Sequence, residues 1–266
     1  MAARRLLGLL AAALLMQDAA GAAPPVVTWV TPELSNDTND FGNHYLSFLM
    51  GRLNGFDHRV LQGSIGRIWH EMESRRVGSC AFNALKTPQR ESLAVFSRRP
   101  MLTRAYRLYF PSSRRALFEP YLDGAGRIDL GKLAGAPLRG GVNAGRAYNP
   151  AIDSLVAARR KTRPLDSVIS IRQALSQLRA GRLDFSFFTP VDIEAAGGEI
   201  DSFAIAGTDE WNAAFVACSR DKTGQAVIAA IDSLFEDQES WAEFVDPLRA
   251  LLSPADFAVL LRSKPQ

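Results

Sequence analysis

Apolar and polar positions along this chain switch repeatedly between a period of two and a period near 3.6. Short apolar or alternating runs stand at Pro25 to Thr31 (PVVTWVT), around Leu61, at Val77 to Ala84 and at Leu138 to Val142. Others follow at Leu183 to Phe188 (LDFSFF), Phe203 to Ala206 and Ala213 to Ser219 (AAFVACS). Each predicts a strand. Helical periodicity fills the intervals: Asn43 to Leu53 sets Leu46, Leu49, Met50 and Leu53 on one face, and Ser64 to Ser74 reads SIGRIWHEMES. Further helices are expected at Pro150 to Arg160, Ser170 to Ala180, Gln225 to Phe235, Ser240 to Leu252 and Pro254 to Leu261. Pro32 ends the first strand, Pro150 sits where a first-turn proline is tolerated, and Gly181 suits a helix C-cap. Glycines and prolines between 124 and 141 mark a turn-rich region. Arg104 to Pro111 (RAYRLYFP) is an extended run that could leave one lobe and enter another. The alternation defines an α/β protein with mostly parallel sheets, and no internal repeat or low-complexity linker appears.

The first residues have a different logic. Arg4 and Arg5 precede an apolar run from Leu6 to Met16 and small residues from Ala19 to Ala23, the layout of a secretory signal peptide. Asp18 interrupts the run well short of the roughly 20 apolar residues that span a bilayer. A cleaved signal over 1–23 and a periplasmic mature chain of roughly 240 residues are expected, with room for two lobes. Formal charge is only +3, so nothing calls for a nucleic-acid partner. Cys80 and Cys218 are the two cysteines. In an oxidising compartment an even count invites a bridge, and the alternative is two unrelated buried thiols.

The stretch Leu85 to Pro100, LKTPQRESLAVFSRRP, resembles the signature of bacterial extracellular solute-binding proteins of family 3, the amino-acid ABC transporter type. There a third strand ends in a T-x-x-R turn, followed by an apolar run and a Phe-Ser-Pro segment, here Phe96, Ser97 and Pro100. The stretches VVTWVTPE, LRGGVNAGRAYNPAID and LRAGRLDFSFFTP fit the same order, so the resemblance covers nearly the whole mature chain. It implies the two-lobed periplasmic binding protein type 2 fold, each lobe a mostly parallel sheet flanked by helices, joined by two crossover strands. Lobe I would be 24–104 with 208–266, and lobe II 105–207. The ligand would lie in the crevice at the strands' carboxyl ends, and hinge closure is the expected motion. Both cysteines then fall in lobe I.

The resemblance also implies roles. Arg90 would hold a ligand carboxylate through paired guanidinium donors, the alternative being a cap or pair within lobe I. Lys86 could add positive potential at the cleft mouth or be merely solvated. Gly145, Arg146 and Ala147 precede a helix whose N-terminus could receive an anion, with Tyr148 bonding there too, or they form an ordinary glycine-containing loop. Trp29 and Trp211 could stack on the ligand or belong to the core, whereas Trp69 is expected against the sheet. Glu33 could receive a ligand cation or be a loop carboxylate. By counting, Thr189 stands where amino-acid binders often place the aspartate that pairs with the α-ammonium, and Asp184 matches an earlier, more structural aspartate. That departure disfavours a standard L-amino acid, since a desolvated ammonium without a partner is costly. An organic acid, a peptide-like or a sugar-acid ligand fits as well.

His44, His58 and His70 show no zinc spacing, and there is no G-x-S-x-G, P-loop or dinucleotide fingerprint. No metal, cofactor or enzymatic role is therefore expected. The run Arg159, Arg160, Lys161 and Arg163 fits a solvated face, with a membrane or partner contact as the alternative. Three functions stay open: a monomeric carrier handing a small polar solute to an inner-membrane transporter permease, a sensing accessory for a membrane receptor or signalling enzyme, and a dehydratase or lyase on this scaffold. The last would need a cleft carboxylate or histidine, for which Glu33 is the one candidate.

Overall fold

The computed structural model describes residues 23–31, 41–74, 77–193, 199–250 and 252–265. Residues 1–22 of the expected signal segment, and Glu33, lie outside the described residues. Two sheets form from two sets of strands. The first contains β1 (Val26–Thr31), β2 (Asp57–Gln62), β3 (Ser79–Leu85), β4 (Ala94–Phe96), β5 (Met101–Arg104) and β11 (Trp211–Ser219), in the order β2-β1-β3-β11-β4 with β5 also on β11. The second holds β6 (Arg107–Pro111), β7 (Gly140–Asn143), β8 (Asp166–Val168), β9 (Phe185–Phe188) and β10 (Ile200–Ala204), in the order β10-β6-β9-β7-β8. Both sheets are mixed. Pairs β1·β2, β1·β3, β7·β8 and β7·β9 are parallel, while the strands leading to and from the crossovers pair antiparallel. A chain that leaves a sheet and comes back beside its own exit must reverse direction there.

Helices flank the sheets: α1 (Phe41–Arg52), α2 (Ile65–Glu73), α3 (Pro88–Leu93), α4 (Leu130–Ala134), α5 (Pro150–Arg159), α6 (Ile171–Arg179), α7 (Pro190–Ile193), α8 (Lys222–Glu236), α9 (Gln238–Val245) and α10 (Pro254–Leu261). Side-chain caps start many of them, for example Ser64 on Arg67 N, Thr87 on Arg90 N and Asn149 on Ile152 N. The expected single helix from Ser240 to Leu252 divides at Asp246 into α9 and a 3-10 turn, Asp246–Ala250. Pro247 has no N–H to continue the α ladder and crowds the preceding turn. β8, α4 and the 3-10 turns between Ser112 and Tyr121 escaped the sequence pattern because each is too short to show a period.

Each sheet has its own core. Trp29, Tyr45, Leu49, Phe235, Trp241 and Leu260 are fully or nearly fully buried around the first. Phe110, Phe118, Phe185 and Phe187 fill the second. Arg159, expected on a solvated face, is completely buried. Its guanidinium donates to the Leu138 and Arg163 carbonyls at 2.5 and 3.0 Å, because it closes the C-terminal turn of α5 over the loop that enters β7.

Cys80 on β3 and Cys218 on β11 are directly opposed, fully buried and joined by a disulfide. The covalent loop contains the whole second sheet and both crossovers. Because the bridge spans 138 residues, the chain-entropy model gives it about 4 to 5 kcal/mol. Reducing it, or replacing both cysteines by alanine, is expected to lower the unfolding free energy toward that amount. Urea titrations with and without reductant measure the loss, and a difference under about 1 kcal/mol would show that the bridge does not constrain the unfolded chain.

Candidate functional site

A cavity of about 270 Å³ opens between the two sheets, at the end of β3. The first lobe supplies Ile65, Ile68 and Trp69 from α2, the residues 81–85 of β3, Arg90, Thr103 and Asn212. The second supplies Tyr106, Arg146, Ala147 and Thr189.

The T-x-x-R turn builds the centre of this site. Thr87 caps α3 through a 3.3 Å bond from Arg90 N, and Pro88 occupies the first turn, so Arg90 is fixed one turn from the end of β3. Its guanidinium stacks on Trp69, 4.0 Å from the ring centre. It donates to the Leu85 carbonyl of its own lobe at 3.0 Å and to the Gly145 carbonyl of the other lobe at 3.0 Å. Arg90 therefore serves both roles considered for it, tying its own turn and facing the cavity. Burial, with repulsion from Arg146, lowers its pKa to about 10, against the opposing influence of Tyr106 and Asp153. A guanidinium held in this way is a strong donor to an incoming anion.

β3 carries the second unusual feature. The β3–β11 register shifts between Phe215 and Ala217, and Asn83 at this bulge has φ 55. Asparagine is among the residues that tolerate this conformation, and here it places Asn83 in the cavity wall.

The second lobe meets the first at Gly145, whose φ is 75. A Cβ built there would lie 2.7 Å from both Cα and N of Gly66, in the first turn of α2. Two glycines thus let the backbones of the lobes touch. The expected anion-receiving helix end is not formed in this way. Asn149 caps α5 with its own side chain at 3.0 Å from Ile152 N, and Arg146 N turns back to Asn143 O at 3.2 Å. Gly145 presents its carbonyl to Arg90, and Arg146 contributes its side chain to the cavity wall and to a contact with the Tyr106 ring at 5.6 Å.

Of the remaining sequence candidates among the described residues, Thr189 lines the cavity and the others do not. Trp29 is wholly buried in the lobe I core, where its indole N–H donates to His58 Nδ1 at 3.1 Å. Trp211 pairs with Arg104 on β5, whose guanidinium stacks on it at 4.5 Å. Strand alternation turns both away from the cavity while their neighbours Asn212 and Thr103 face it. Tyr148 is buried against Tyr106 and Phe187, and its hydroxyl accepts from Asn143 N at 2.8 Å, so it secures the loop rather than a ligand. Lys86 is exposed and its ammonium lies over Phe215 at 4.6 Å, outside the cavity wall. Trp69 packs against the sheet as expected, beside Ile68, and its exposed part also lines the cavity. Among the described residues no cluster of His, Cys, Asp or Glu side chains is placed to hold a metal ion.

No protein-family model and no curated protein matches the chain. Solved structures do. An amino acid ABC transporter substrate-binding protein from Streptococcus pneumoniae bound to L-arginine superposes with a TM-score of 0.63 at 14% identity, over 91% of this chain and 96% of that one. An ancestral arginine-binding protein bound to glutamine gives 0.64 at 13%, over 86% and 98%. A putative L-cystine ABC transporter protein from Listeria monocytogenes gives 0.63 at 14%, over 86% and 98%. The class defined by these likenesses is the two-lobed binding-protein fold. This chain has the fold of the amino-acid ABC transporter substrate-binding proteins, with a cavity at the place between the lobes where Arg90 stands.

The Gly66–Gly145 contact generates a prediction. Gly145→Ala combines a positive-φ penalty of about 1 kcal/mol with the interlobe clash. Gly126, with φ 73 and open space around it, supplies the control. Both alanine variants should lose the positive-φ stability, Gly145→Ala at least as much as Gly126→Ala, but only Gly145→Ala should raise the radius of gyration in small-angle scattering. Equal scattering from the two variants would sink the idea that this contact limits closure.

Proposed function

We propose that this chain is an exported solute-binding protein whose lobes close on a small carboxylate-bearing solute, which it delivers to an ABC-type transporter in the inner membrane without chemical change. Residues 1–23 are the cleaved signal, 24–104 with 208–266 form lobe I, and 105–207 form lobe II. The observation that carries the reading is the buried guanidinium of Arg90. It lines the interlobe cavity, stacked on Trp69, and bonded to one backbone carbonyl from each lobe. A planar cation at this point offers paired donors to a carboxylate, and the bond to Gly145 links its occupancy to the closed arrangement. L-Arginine and glutamine, bound in two of the similar structures, both carry a carboxylate. Around that point the described walls offer apolar groups, neutral polar groups and the Arg146 side chain, an arrangement suited to holding a small polar molecule.

The test is a thermal-shift screen of the mature protein against amino acids, organic acids, short peptides and sugar acids, beside Arg90→Ala and Arg90→Gln. A ligand at 100 times its dissociation constant adds about 2.7 kcal/mol of stability. One carboxylate class is expected to raise the melting temperature of the parent and of neither variant. An equal response from parent and variants would remove Arg90 from the site, and a parent that responds to nothing would overturn the solute-binding reading.

A further inference from the structure

Thr103 and Asn212 stand opposite each other in the cavity wall, and the next pair along the two strands, Arg104 and Trp211, forms a fastening of its own. Arg104 is the last residue of β5, where the chain leaves the first sheet, and Trp211 is the first of β11, where it returns. The Arg104 guanidinium lies 4.5 Å from the Trp211 ring centre. Its Nε and Nη2 donate to the two carboxylate oxygens of Asp256 at 2.9 and 2.5 Å, and Nη1 donates to Glu210 Oε2 at 3.2 Å. Asp256 sits in the first turn of α10, whose Phe257 and Leu260 are buried in the lobe I core. A bidentate fork and a stacked ring fix a guanidinium in one orientation, which a single contact does not. One side chain thus fastens both crossovers to the closing helix.

Beyond this fastening lobe I holds the chain for one more residue, since Ala105 N donates to Glu210 O at 2.9 Å. Lobe II takes hold at the other end. Arg107 pairs with Ala204 of β10 and its Nε donates to Ser202 Oγ at 2.9 Å, while Ala206 N donates to Ile128 O at 2.9 Å. The Tyr106 ring also belongs to lobe II, 4.9 Å from the Tyr148 ring, with its hydroxyl donating to Ala147 O at 3.4 Å. Between the two holds remain residues 105–106 of the first crossover and 207–209 of the second. Among the described residues the backbone of 207–209 makes no hydrogen bond to either sheet. Gly207 has φ 71 with open space around it. A glycine in this conformation crosses backbone regions closed to other residues, which suits it to a bending point.

We infer that Arg104 is the anchor of the hinge: by fastening β5 and β11 to α10 it confines bending to 105–106 and 207–209 and keeps Thr103 and Asn212 in place in the wall while the lobes move. Arg104 is a positioning residue, acting through its strand neighbours rather than on the solute. Its role in closure rests on the solute-binding reading above, whereas the anchoring itself is measured without any solute.

The contrasting case is an ordinary surface ion pair, which contributes little to stability and nothing to motion. Spin labels on exposed positions of each lobe, Ser176→Cys on α6 and Ala226→Cys on α8, report the interlobe distance distribution by pulsed electron resonance. Amide exchange reports the crossovers, and both are measured for the parent, Arg104→Gln, Asp256→Asn and Glu210→Gln. Arg104→Gln and Asp256→Asn should broaden the distribution and speed exchange at 102–105 and 211–213 about tenfold, with β1 and β7 unchanged. Glu210→Gln removes one contact of a largely exposed carboxylate and should match the parent. A solute that stabilises the parent should bind the first two variants about fivefold more weakly, because closure must then order what the anchor had held.

The inference is overturned if both variants keep the parent's distribution and exchange, or if exchange rises equally in every strand, the mark of a general loss of stability. Equal solute affinity in parent and variants despite a broadened distribution would overturn the positioning of Thr103 and Asn212. Silence of every solute would overturn the solute-binding reading alone, since the distances and exchange rates still decide the anchor.

Discussion

Everything in this molecule depends on β11 coming back into register beside β3. The chain leaves the first sheet at Arg104, builds the second sheet, and returns at Trp211. The antiparallel pairing then sets Trp211 opposite Arg104, Asn212 opposite Thr103, Ala214 opposite Leu85 and Cys218 opposite Cys80. A slip of one residue would exchange the faces of the strand. It would put Trp211 into the cavity, remove Asn212 from it and separate the cysteines. The buried bridge therefore holds the one register in which the cavity wall is correct. The bulge at Asn83 is the local adjustment that this register contains, and it lies in the wall itself.

Against that frame the buried arginines divide into two kinds. Arg159 lies within the second lobe and donates to carbonyls there, and Arg99 lies within the first, stacked on Trp241 and bonded to the Phe235 and Leu261 carbonyls. Each is a buried cation whose desolvation is offset by partners that stay in place when lobes move. Arg90 uses the same devices, an indole face and backbone carbonyls, but one of its carbonyls belongs to the other lobe. Its environment is completed from both sides of the cavity. The chemistry that makes Arg159 and Arg99 structural makes Arg90 sensitive to closure.

The fold was legible because its elements repeat a period over enough residues. Strand β1, helices α2, α5, α6 and α10 and the closing strand β11 fall within a residue or two of their expected places, as local pattern and capping residues allow. The site was legible only in part. Arg90, Arg146 and Thr189 carry motif positions, and motif position survives folding. The tryptophans do not, because a sequence shows that an aromatic residue is near a cleft element but not which face it takes. Trp29 sits on a strand covered on both faces, so proximity to the cleft placed it in the core. Trp211 occupies the outer phase of a period-two strand, and Trp69 the flank of a helix whose central stripe, Ile68 and Met72, meets the sheet. Lys86 and Tyr148 failed for a related reason: each had an alternative partner, an aromatic face or a backbone N–H, that only the tertiary arrangement reveals.

The division of labour between the lobes follows from these placements. Lobe I contributes most of the wall, the apolar surface and the first guanidinium, and lobe II contributes Tyr106, Arg146, Ala147 and Thr189. The apolar shape of the wall is thus largely lobe I's, while Arg146 comes from lobe II. The Gly66–Gly145 contact and the Arg90–Gly145 bond join the two lobes at this point. A solute that bonds to Arg90 acts on the group that already ties the two lobes, and it can shift their arrangement only through a difference in binding between arrangements.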